Sequence, residues 1–99
     1  MFVAAVEFDL LLADHVASLK QRRGVVKPLQ AELERRFGVV VADVSGEQRY
    51  RRVQLGAAVV AAAAGHAGER LDAVERFVAD RPELELLSAH RRLWSMDDD

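Results

Sequence analysis

The residues of this sequence with the clearest capacity for chemistry are cations. Lys20, Arg22, Arg23 and Lys27 fall in one short stretch, and Arg49, Arg51 and Arg52 fall in a second that also holds Tyr50. Grouped Lys and Arg bind phosphates by charge and counterion release, and the planar guanidinium can fork onto phosphate oxygens. An aromatic ring among them can stack on an unpaired base. Lys20, Arg22, Arg23, Lys27, Arg49, Tyr50, Arg51 and Arg52 are therefore the candidate RNA-contacting residues. The competing reading makes them solvated surface cations paired with Glu32, Glu34 and Glu47, with Tyr50 packing its ring and leaving its hydroxyl wet.

Other constellations are weaker. His15, His66 and His90 stand 51 and 24 residues apart, without the short paired spacing of a metal site. Asp14, His15 and Ser18 supply the residue types of a hydrolytic triad, but Ser18 is better used as a helix cap and nothing builds an oxyanion hole. Gly65-His66-Ala67-Gly68 reads as a loop turn before it reads as an anion cradle. Cysteine is absent, which excludes disulfides, thiolate ligands and thiol nucleophiles. No catalytic residue, metal or cofactor is expected, so the sequence points to a binding module rather than an enzyme.

The elements that must carry these residues follow from periodicity. Phe2, Ala4, Val6, Phe8, Leu10 and Leu12 alternate as a strand with one buried face, leaving Val3, Ala5, Glu7 and Asp9 on the other. Ser18 with Gln21 forms a capping box that starts a helix, and Gly38 stops it. Its inward stripe reads Leu19, Arg23 through its stem, Val26, Leu29 or Gln30, Leu33 and Phe37, with a kink expected between Gly24 and Pro28. Val39 to Val44 and Val53 to Ala61 read as two further strands, the latter apolar on both parities and hence central. Ala67, Leu71, Val74, Phe77 and Val78 make a second helical stripe, closed by Arg81-Pro82. In a fourth strand Leu84, Leu86, Ser88 and His90 alternate with Glu85, Leu87, Ala89 and Arg91.

This order predicts an α+β, ferredoxin-like βαββαβ sandwich. Right-handed crossovers put both helices on one face of a four-stranded antiparallel sheet of order 4-1-3-2. The domain is expected to span residues 1–96, with an acidic frayed tail at 97–99. The open sheet face would carry small apolar residues and few charges, a surface suited to a homodimer or another protein. It lacks the aromatic pair with which RNA-recognition motifs stack bases.

Charge is uneven along the chain, +2 over residues 1–52 and −4 over 53–99. The longest apolar runs are far shorter than the roughly 20 residues that span a bilayer, and no basic stretch precedes the first strand as a secretory signal would require. A cytoplasmic protein without membrane association is expected.

The stretches Ser18-Leu19-Lys20-Gln21-Arg22-Arg23, Val41-Ala42-Asp43-Val44, Tyr50-Arg51-Arg52-Val53-Gln54-Leu55-Gly56-Ala57-Ala58-Val59-Val60 and Pro82-Glu83 together resemble the YlxP-like family of small bacterial proteins of unknown function. The resemblance covers nearly the whole chain. It implies a ferredoxin-like fold, no assigned activity, and genes often placed beside those for translation initiation and ribosome maturation factors. Gly24 and Pro28, and the alanines 61–64 where a polar helix cap is usual, depart from that pattern. With the basic set, the resemblance makes ribosomal RNA or a ribosomal subunit the expected partner. The alternative is a homodimeric interaction domain working through the open face.

Overall fold

The computed structural model describes residues 1–47 and 49–97. Its elements are β1 (Phe2–Leu12), α1 (Leu19–Phe37), β2 (Val40–Asp43), β3 (Arg52–Ala61), α2 (Ala64–Ala79) and β4 (Leu84–Ser95). The sheet runs β2-β3-β1-β4, which is the expected order read from its other edge, and every pairing is antiparallel. The fold is ferredoxin-like. Of the expected tail only Asp97 is described; residues 98 and 99, like Gln48, lie outside the described residues.

Alternation on β1 builds the core. Ala4, Val6, Phe8, Leu10 and Leu12 are buried beneath the helices, and β3 contributes Val53, Leu55, Ala57 and Val59 beside them. From above, α1 contributes Val26, Leu29 and Leu33, and α2 contributes Ala67, Leu71, Val74 and Val78. Each fully buried Leu, Val or Phe side chain contributes about 1.5–3 kcal/mol of transfer free energy. At one end Phe37 meets Phe77 edge to face at 5.6 Å, and Arg36 and Arg81 lie over the Phe77 ring at 4.9 and 5.2 Å. The two helices are thereby locked side by side.

Local signals place the ends. Ser18 Oγ accepts the Gln21 N–H at 3.1 Å while Gln21 Oε1 accepts the Ala17 N–H at 2.7 Å. Gly38 closes α1 with φ 62°, a left-handed conformation that glycine adopts without steric cost, and donates its N–H to the Glu34 carbonyl. Pro28 lies within α1, which is a single element from Leu19 to Phe37. At the outer edge of the sheet Glu34 Oε2 accepts the Val41 N–H at 3.4 Å.

Two expectations are corrected. The inward stripe of α1 runs Arg22, Val26, Leu29, Leu33, so Arg22 is buried while Arg23 and Leu19 are exposed. An arginine can occupy an inward position when every donor finds an acceptor. In β4 the pairing with β1 shifts between Asp9 and Leu10, which face Ser88 and Leu86 and leave Leu87 as an extra residue. Beyond that bulge the parity reverses: Ala89 packs on the core, and Arg91 reaches Asp72 and Glu75 of α2 at 2.7 and 3.4 Å. His90, Arg92 and Trp94 therefore belong to the opposite, open face.

The start of α2 carries no side-chain cap, because Ala63 occupies the N-cap position at φ −126° and ψ 141°. A polar residue suits that backbone. Ala63→Ser should raise unfolding stability by about 1 kcal/mol in urea titrations.

Candidate functional site

Arg22 organises one end of the molecule. It is 3% exposed, and its guanidinium donates to Asp43 Oδ2 at 2.8 Å, to Ser45 Oγ at 3.1 Å and to the Arg49 carbonyl at 3.1 Å. Asp43 Oδ1 in turn accepts the Ser45 N–H at 3.0 Å and its hydroxyl at 2.6 Å, while Ser45 Oγ accepts the Gln54 N–H at 2.9 Å. The network joins α1, the end of β2, the following loop and the start of β3. Burial raises the Asp43 pKa, but the hydrogen bonds from Arg22 and Ser45 and the charge of Arg22 outweigh it and hold the carboxyl below its ordinary value.

Around this clamp the cationic set divides. Lys20, Arg23 and Lys27 are exposed on α1 at steps of three and four, hence on one face, and none has an ion-pair partner among the described residues. Arg23 and Lys27 line a groove of about 250 Å³ with Gln30, Asp43 and Ser45, and the Gln30 amide oxygen is buried without a hydrogen-bond donor among the described residues. Because Arg22 holds the Arg49 carbonyl, the loop bearing Arg49 and Tyr50 is fixed beside α1. Both side chains are exposed, and Arg49 touches Glu47 at 3.4 Å.

The remaining members are turned elsewhere. Arg51 donates to the Leu12 carbonyl at 3.1 Å and pairs with Asp14 at 2.9 Å. Arg52 pairs with Asp9 on the open face of the sheet. The structure therefore sets Lys20, Arg23 and Lys27 on one face of α1, spends Arg22 on tying the Arg49 backbone beside that helix, and places Arg49 with Arg52 around a second hollow that Asp9, Ser45 and Glu47 also line. Of the acids expected to neutralise the set, only Glu47 does so among the described residues; Glu32 pairs with Arg36 and Arg81.

The second surface is the open face. Val3, Ala5, Glu7 and Asp9 of β1 lie there as the alternation requires. Their neighbours are Gly56, Ala58 and Val60 of β3, Val40, Ala42 and Val44 at the β2 edge, and His90, Arg92 and Trp94 of β4. The centre of this face is a trough of about 680 Å³ floored by small residues. The contributions of β2 and β4 were not legible in the sequence: a four-residue strand shows little period, and the Leu87 bulge hides the β4 alternation. The remaining candidates stand apart. His15 is exposed after β1, His66 is exposed in the first turn of α2, and Ser18 is occupied as the α1 cap.

A family described as a protein of unknown function, DUF503, matches residues 3–91. The chain belongs to this family. The DUF503 match takes in the whole Arg22 network and the open face as far as Arg91. The search of curated proteins found no match. Among solved structures, the de novo designed protein Ferredog-Diesel is similar, with 15% identity, a TM-score of 0.41, and coverage of 94% of this chain and 84% of that chain. That likeness is too distant to bear on function.

The depressed Asp43 pKa makes the clamp acid-sensitive in this DUF503 protein. A carboxyl whose folded pKa lies below its unfolded value adds stability above the unfolded pKa and loses it as pH falls through the folded one. Asp43→Asn should lower stability at pH 7 and flatten the loss of stability below about pH 4, measured by urea unfolding across pH. Arg22→Met, which leaves Asp43 without its cation, should cost about 3 kcal/mol. It should also speed amide exchange at residues 45–47 and 49–51.

Proposed function

We propose that this chain is a non-enzymatic accessory module that binds structured RNA, with ribosomal RNA or a ribosomal subunit as its partner in the cytoplasm. The observation that carries the reading is the row Lys20, Arg23 and Lys27, free of acidic partners among the described residues, beside a loop that Arg22 ties down with Arg49 and Tyr50 outermost. A helix face of this kind offers cations at a fixed spacing, so phosphates are met without ordering the loop first. Tyr50, half exposed next to Arg49, is available to stack on an unpaired base. The resemblance to YlxP-like proteins, whose genes often neighbour those of translation and ribosome maturation factors, supports the choice of RNA.

Four exposed cations set the expected strength of the salt effect. Affinity for ribosomal subunits or a structured ribosomal RNA fragment should fall about 100-fold between roughly 50 and 200 mM salt. Changing Lys20, Arg23, Lys27 and Arg49 to Glu should abolish binding. Arg92→Glu, on the far edge strand β4, should leave it within about twofold, since phosphate contacts act only where the polyanion lies. Filter binding or fluorescence anisotropy reads each case. A folded wild-type protein that binds neither RNA nor subunits at the lower salt would overturn the proposal.

A further inference from the structure

The open face offers phosphate no excess of positive charge, because Glu7 and Asp9 of its central strand balance Arg92 and Arg52. What it does present is exposed apolar surface. Val40, Val44, Val60 and Trp94 are 71%, 46%, 58% and 48% exposed, and all four project from this one face. Strand pairing sets Val60, Val3 and Trp94 side by side in one row, and Val40, Ala58, Ala5 and Arg92 in the next.

We infer that this face is the interface of a symmetric homodimer. Charge favours a second copy as the occupant. Glu7 and Arg92 lie within the same trough, and neither has an ion-pair partner among the described residues. Asp9 is already offset by Arg52. The face thus carries both signs and no single-sign field, so two copies meet without net repulsion and each supplies a cation and an anion to the other. The α1 surface, by contrast, would repel itself. Shape agrees, because a floor of Ala5, Ala42, Gly56 and Ala58 lies beside a rim bearing Trp94 and Arg92. A projection and a recess on the same patch are what a two-fold interface requires.

Three strands over about eight residues and the four-residue β2, spaced about 4.8 Å apart, present about 450 Å² per copy, hence about 900 Å² in total. That is the size of weak, transient interfaces, so the pair is one that dissociates on dilution.

Trp94 is the only tryptophan of the chain, so the wild type reports on its own interface. Sedimentation should show a dimer that dissociates on dilution from roughly 100 to 1 µM. Over the same range Trp94 emission should shift to the red and acrylamide quenching should rise. Val60→Asp and Trp94→Asp should each weaken the dimer at least tenfold with unchanged circular dichroism, whereas Arg23→Glu should leave it intact. A wild type that stays monomeric at the upper concentration overturns the inference. So does a dimer whose Trp94 emission and quenching do not change on dilution. The outcome is independent of RNA binding, which Arg23→Glu weakens and Val60→Asp does not.

Discussion

The inward burial of Phe8, Leu10 and Leu12 constrains everything around it, because β1 is hydrogen-bonded along both sides and covered by helices on one face. A slip of one residue would carry those side chains to solvent and bring Glu7 and Asp9 into the core. Register is therefore fixed on β3 and on β4 together. Among the described residues both helices lie above one face, and no element lies over the other. The apolar open face is a consequence of the topology, and its chemistry is set by which residues the fixed register delivers there.

The second constraint is electrostatic. Burying a guanidinium is costly unless its donors are satisfied, and Arg22 meets this with a carboxylate, a hydroxyl and a carbonyl drawn from three separate positions. Those positions are thereby tied to α1. The clamp explains why Ser45 and the Arg49 backbone, in a stretch poor in apolar residues, lie beside the helix.

Much of the fold was legible in the sequence, because its signals are local and redundant: strict alternation in β1, the Ser18–Gln21 cap, the glycine at 38, and the apolar stripe of α2. The candidate site was legible only in part. Composition identified the cations, but which of two adjacent arginines turns inward depends on Asp43 and Ser45, some twenty residues away, and the apolar pattern alone favoured Arg23 over Arg22. The far half of β4 was misread for a related reason. A bulge adds one residue to a count of two, and no residue type marks Leu87 as the extra one.

The contact between Glu34 and the Val41 N–H makes the two edges of the sheet unequal. An unpaired strand edge is a template for another chain, and a sheet with two such edges can grow without limit. Here one edge is a four-residue strand with a carboxylate across one of its outward amides, and only β4 offers a long free ladder. A strand added at β2 would have to displace that carboxylate and would gain few hydrogen bonds, so the two edges are unequal and continued growth through both is disfavoured.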